Sequence, residues 1–178
     1  MKHLTLVVAV VAAFLFTGAD WTPLKWGSVT NGARLGMETH TRDSFGRACP
    51  PLCVLYAQNV SSNFSYLVFP RPDRRYVAEL RGPDGKQIGL KTAKQLSEHD
   101  KVVRRGLKPN EVSQIDHFSI ADIFVLPTNG NYQFVIAAAA CTNLLLRADT
   151  AYFLLPPVTN TFHVGQGTNM NTRRQQKH

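Results

Sequence analysis

From residue 33 onward, short apolar runs alternate with turn residues, and the repeat along each run is two rather than 3.6. Period two is the mark of a strand with one face on a core, because successive side chains point to opposite sides of a sheet. Arg34 to Thr41 alternates weakly and predicts a first strand. Cys53 to Val60 is apolar and rich in strand formers. Phe64 to Phe69 is a stronger strand, stopped by Pro70 and Pro72, and Tyr76 to Leu80 alternates between Arg75 and Arg81. Gly82-Pro83-Asp84-Gly85 is the clearest turn in the chain: proline pre-sets the first corner and glycine accepts positive φ. Lys86 to Leu90 is expected to return as the partner strand of a hairpin.

Lys91 to Asn110 is polar and basic and reads as a long connection with a short helix around 92–99. Strand character resumes from Phe118 to Leu126, and Pro127-Thr128-Asn129-Gly130 makes a second turn. Tyr132 to Ile136 follows and runs into Ala137 to Ala140. Tyr152 to Leu155 is a further strand ended by Pro156-Pro157, and Thr161 to Val164 forms a last edge strand. Residues 20–32 show no periodicity and are expected to be irregular. Residues 165–178 are Gly, Asn, Gln, Arg and Lys in the main, too polar to bury the surface that order requires, and predict a disordered tail.

Seven or eight short strands without a strong amphipathic helix predict an all-β fold, an antiparallel β-sandwich spanning 33–164 with one long basic connection. A βαβ fold needs helical stretches that the pattern lacks. The stretch from Phe124 to Phe134, with Pro127, Gly130 and Tyr132 in order, resembles the proline-glycine-x-tyrosine turn into a late strand of immunoglobulin-like modules. That resemblance implies an immunoglobulin-like arrangement with Tyr132 packed at a sheet corner. It carries fold alone and no activity.

The start of the chain changes the picture from fold to address. Met1-Lys2-His3 is followed by an apolar run from Leu4 to Phe16 and then by the small residues Thr17-Gly18-Ala19. This order predicts a signal peptide over 1–19, cleaved after Ala19. The run is too short for a bilayer span, which takes about 20 apolar residues. The mature domain is therefore expected in the periplasm or outside the cell. No cysteine follows the cleavage point, so no lipid anchor is expected, and no stable membrane span remains once the signal is cleaved.

Charge then narrows the partners. The chain carries +8 at neutral pH, yet only 18% of its residues are charged, below the roughly 25% of ordinary soluble domains. Such a balance favours acidic partners, an anionic envelope component or another exported protein. Nucleic acid is not expected for an exported domain. Lys101, Arg104, Arg105 and Lys108 form the densest basic cluster and are the candidate ligand-binding residues. The sequence thus points to a non-enzymatic binding module for acidic surfaces or an envelope protein.

Three cysteines, Cys49, Cys53 and Cys141, are expected to meet an oxidising compartment and to supply a disulfide, with one thiol left over. Cys49-Pro50-Pro51-Leu52-Cys53 is locally similar to the Cys-Pro-x-x-Cys of Sco-type copper chaperones, which implies a metal-binding or thiol-redox alternative on the Cys49/Cys53 pair. Those proteins have a strand-helix pattern that this chain does not share. The internal histidines His40, His99, His117 and His163 show no ligand spacing, so no metal site is read and no cofactor is implied. Ser113, His117, Ser119 and Asp122 crowd one stretch, and a small exported hydrolase is a further alternative. No nucleophile elbow surrounds either serine, so no catalytic residue is assigned. Asn59-Val60-Ser61 and Asn63-Phe64-Ser65 match the glycosylation pattern, as chance matches beside strands.

Overall fold

The computed structural model describes residues 22–70, 76–90, 102–127, 129–141 and 152–165. The expected signal, the helix near 92–99, Lys101 and nearly all of the polar tail lie outside them. Among the described residues the elements are β1 (Lys25–Trp26), β2 (Ala33–Arg42), β3 (Ala48–Asn59), β4 (Ser65–Phe69), β5 (Tyr76–Arg81), β6 (Gln87–Ile88), β7 (Val103–Leu107), β8 (Val112–Ser119), one helical turn α1 (Ile120–Ile123), β9 (Gly130–Ala140) and β10 (Phe153–Val164).

The chain is mostly β, and every strand pairing is antiparallel. One sheet has the order β1-β2-β3-β8, a second has β10-β9-β5-β6, and β4 and β7 form a two-stranded ribbon. A single apolar core collects inward residues from both sheets and the ribbon, including Leu35, Leu55, Leu67, Leu107, Phe118, Phe134, Ile136 and Phe162. Phe134 sits edge-on to Phe118 of the first sheet and to Phe124, with ring centres 6.3 and 6.0 Å away. Tyr132, fully buried, stacks on Phe162 at 5.6 Å. Across the core the Tyr76 hydroxyl donates to Asp116 Oδ2 at 2.9 Å. A buried carboxylate needs such donors, because losing water without replacement costs several kcal/mol, and this one ties β5 to β8.

Several boundaries differ from the sequence pattern, each for a physical reason. β7 lies inside the stretch expected to be a connection. All five of its residues pair with β4, from Ser65 with Leu107 to Phe69 with Val103, so tertiary pairing overrides a composition that favours solvent. β8 begins well before Phe118, and its apolar rhythm is masked because Ile115 and Asp116 are both buried at a bulge opposite Leu55 and Tyr56. β3 starts early enough to take in Pro50 and Pro51. They fall at a register shift against β2 and beyond the last pair with β8, Leu52 with Ser119, where no ladder amide is required. β10 runs on through Pro156-Pro157 by a shift between Leu155 and Val158. Its place at the edge of the second sheet makes the missing amides harmless. The expected irregular lead-in contains β1, paired with Met37 and Gly36.

Candidate functional site

One buried side chain ties the end of β3 to the chain that flanks the β4–β7 ribbon. Asn59, fully buried at the end of β3, donates through Nδ2 to the carbonyls of Asn63, Leu107 and Lys108 at 2.7, 3.0 and 3.2 Å. Its Oδ1 accepts from the Ser61 amide and hydroxyl. A glycan acceptor must be exposed, so Asn59 is a structural amide rather than a modification site. The turn after β7 is closed by Asn110 in the left-handed region, φ 62°, which asparagine tolerates. The Glu111 carboxylate accepts the Lys108 amide at 2.8 Å.

Above that anchor, alternation sorts the ribbon into two faces. Leu67 and Leu107 are buried, whereas Arg104, Gly106 and Lys108 fall on the exposed side of β7. Tyr66 pairs with Gly106 on the neighbouring strand. Phe64 and Tyr66 both lie over that glycine: a Cβ there would stand 2.7 Å from Phe64 Cζ and 3.3 Å from Tyr66 Cε2. The two rings are 6.3 Å apart and tilted by 56°, and Phe64 is 62% exposed. The absence of a side chain at Gly106 is what lets them settle on the strand. The result is an exposed aromatic seat with Arg104 on one side along the strand and Lys108 on the other. Among the described residues neither of these two side chains has a partner.

Two of the four candidate basic residues are therefore brought to one face with an aromatic pair, and one is not. Arg105 sits on the opposite side of β7 from Arg104, as neighbours on a strand must. Its guanidinium donates to the carbonyls of Gln114 and Arg104 at 3.3 and 3.2 Å. Lys101 lies outside the described residues. Phe64 and Tyr66 fall in a stretch that the sequence marks only as a strand, and the pairing of β4 with β7 is what places them beside the basic cluster.

A second polar-aromatic region occupies the outer face of the β1-β2-β3 sheet. Trp26 covers Gly36, where a Cβ would come within 2.6 Å of the ring. The Arg34 guanidinium lies 4.6 Å from the Trp26 ring centre and donates through Nε to Gln58 Oε1 at 2.7 Å. Nearby, the Tyr56 hydroxyl donates to Glu38 Oε2 at 3.0 Å, and His40 Nε2 is 3.4 Å from the same oxygen. Burial, reinforced by the Glu38 carboxylate, pushes the Tyr56 hydroxyl up to about 12. Each charge of this region is answered inside it.

The cysteines correct the disulfide expectation. Among the described residues none of Cys49, Cys53 and Cys141 forms a disulfide. Cys49 and Cys53 lie on the same extended strand, and four residues at about 3.3 Å each separate their Cα atoms by about 13 Å, beyond the roughly 7 Å a disulfide can bridge. Cys53 is fully buried, and burial together with Asp116 drives its thiol well above the usual range. Burial, then Asp43, also raises Cys49. Raised thiols are poor nucleophiles and poor metal ligands at neutral pH. Among the described residues no three His, Cys, Asp or Glu side chains converge as a metal site would require. Asp116 is buried and His117 exposed on adjacent positions of β8, so they face opposite ways.

No protein-family model matches the chain, and no curated protein sequence matches it.

Proposed function

We propose that the chain is an exported, non-enzymatic binding module with an immunoglobulin-like sandwich, which holds an acidic ligand on the β4–β7 ribbon. The strand orders β2-β3-β8 and β10-β9-β5 support the fold part, since they run as A-B-E and G-F-C do in that architecture. Tyr132 stands near the start of β9, two residues ahead of Phe134, in the relation of the tyrosine corner to the late-strand cysteine. Here Phe134 and its edge-on neighbours fill the place of an inter-sheet disulfide.

The observation that carries the ligand reading is exposed Phe64 beside half-buried Tyr66, both seated on Gly106 between Arg104 and Lys108, whose side chains have no partner among the described residues. Aromatic faces beside free cations favour ligands with a flat apolar side and negative charge. The export part rests on residues 1–19 and the net charge of +8. The test is retention of the purified chain on sulfated, uronate and neutral polysaccharide matrices, eluted with salt. Selective retention on the acidic matrices, reduced at least tenfold in Arg104→Glu/Lys108→Glu and in Phe64→Ala/Tyr66→Ala, is expected. Equal retention of both double variants and the parent would remove the ribbon from the reading.

A further inference from the structure

Two asparagines match the glycosylation pattern, and the fold treats them oppositely. In Asn59-Val60-Ser61 the Asn59 side chain is fully buried, and both ends of its amide are engaged. A sugar on Asn59 Nδ2 would take the donor away from the Leu107 and Lys108 carbonyls, and polar groups left unsatisfied oppose folding. Asn63-Phe64-Ser65 lies instead at the bend that carries the chain from β3 into β4. The Asn63 carbonyl is held by Asn59 Nδ2 at 2.7 Å and by Ser61 Oγ at 2.9 Å. Its side chain is exposed and makes no hydrogen bond among the described residues. Phe64 beside it is exposed as well, so the bend stands clear of the core. Ser65, the third position of the pattern, is half-buried, and its hydroxyl has no hydrogen bond among the described residues. A glycan is bulky and polar and has to stand on the surface. Asn63 meets that condition and Asn59 does not.

We propose that Asn63 is the attachment site of an oligosaccharide acquired as the chain is exported. The donor class is an oligosaccharide joined through pyrophosphate to a lipid, presented on the far side of the export membrane. Asn63 Nδ2 attacks C1 of the first sugar. The bond formed is Nδ2–C1, and the bond broken joins C1 to the pyrophosphate oxygen. Lipid pyrophosphate leaves with the electron pair, and Nδ2 gives one proton to a base of the transferring enzyme. Nothing is oxidised or reduced. The Ser65 hydroxyl is the group that the pattern requires beside the acceptor. This rests on the export part of the proposed function and not on the ribbon.

The experiment weighs the full chain secreted from cultured cells that glycosylate asparagine, and the chain recovered from its own source. Each is measured before and after digestion with a glycan-releasing amidase, which leaves an aspartate where a modified asparagine stood. The chain is expected to begin at Asp20, to be heavier by one oligosaccharide, and to lose that mass on digestion with the new aspartate in the place of Asn63. Asn63→Gln and Ser65→Ala are each expected to abolish the mass shift, and Ser65→Thr to keep it. Ser61→Ala, which breaks only the Asn59 pattern, is expected to leave it unchanged. Asn63→Gln keeps Phe64, Tyr66, Arg104 and Lys108, so its retention on acidic matrices reads the ribbon separately.

A chain that begins at Asp20 and carries no sugar, from either source, would overturn the acceptor assignment while leaving export standing. A sugar on Asn59 would overturn the assignment as well. A chain that keeps residues 1–19 and carries no sugar would overturn export and the assignment together.

Discussion

Trp26 on Gly36 and Phe64–Tyr66 on Gly106 are built from the same parts: aromatic rings laid over a glycine, with arginine on the same strand. Their chemistry ends up opposite. On β2 the Arg34 guanidinium is spent on Trp26 and Gln58, and Glu38 is shared between Tyr56 and His40. On β7 the Arg104 and Lys108 side chains have no partner among the described residues, and Phe64 is largely exposed. The contrast teaches that the composition of a patch does not decide its role. The decisive matter is whether neighbouring strands supply the answering groups. β3 supplies Gln58 and Tyr56 beside β2. β4 sets only Tyr66 opposite Gly106 and the apolar Val68 opposite Arg104.

The largest expected effect comes from removing the anchor that only the open region uses. Asn59→Ala strips donors from the Leu107 and Lys108 carbonyls and the acceptor from Ser61. Buried groups left unsatisfied cost about 1–3 kcal/mol each, so a loss of about 3 kcal/mol is expected in urea unfolding, with the acidic-ligand affinity falling as β7 loosens. A loss below about 1 kcal/mol would show that β7 does not depend on this amide.

The two glycines separate the regions more sharply. Gly36→Ala places a methyl within 3.0 Å of three Trp26 ring atoms, and that ring is pinned by Arg34. Overpacking of this kind costs about 1–3 kcal/mol. Gly106→Ala meets the tip of Phe64, an exposed ring free to swing outward. Its stability is expected to stay within about 0.5 kcal/mol, as for ordinary surface changes, while acidic-ligand affinity drops about tenfold. Comparable thermal shifts in the two variants would erase the distinction between a closed and an open patch.

The arginines give the next smaller difference. Arg34→Ala loses a stacked cation and a hydrogen bond, together about 1 kcal/mol. Arg104→Ala is expected to change stability by less than about 0.5 kcal/mol and to act on binding alone. A stability loss in Arg104→Ala equal to that of Arg34→Ala, seen by denaturant midpoint, would mean that the β7 cation is occupied internally.

This contrast marks where the sequence stops being readable. β2, β4, β5 and β9 follow period-two runs, and the turns at Gly82–Gly85 and before Tyr132 are legible because proline and glycine act locally. β7 is hidden, since Val-Arg-Arg-Gly-Leu has one deeply buried side chain and its strand character comes from pairing with β4. The basic cluster read from the sequence was contiguous, whereas strand alternation sends Arg105 to one side and Arg104 and Lys108 to the other. Phe64 and Tyr66 join those two across about 40 residues of chain, a distance over which no local pattern carries information. The cysteine spacing misled for a related reason: three intervening residues suit a loop, and the chain is extended there.

The smallest effect lies in the closed region and is visible only at high pH. Tyr56 in the folded chain is pushed up to about 12, first by burial and then by its bond to Glu38, against an ordinary tyrosine value of about 10. Between those two values the unfolded chain has released this proton and the folded chain still holds it. Stability must therefore fall as pH rises through that window, after being fully present below it. Tyr56→Phe removes the titrating group and is expected to flatten this part of the pH profile. Glu38→Gln, which removes the carboxylate but not the burial, should flatten it only in part. An alkaline slope in Tyr56→Phe as steep as that of the parent, measured by urea unfolding from pH 9 to 12, would show that the Tyr56–Glu38 contact does not couple folding to this proton.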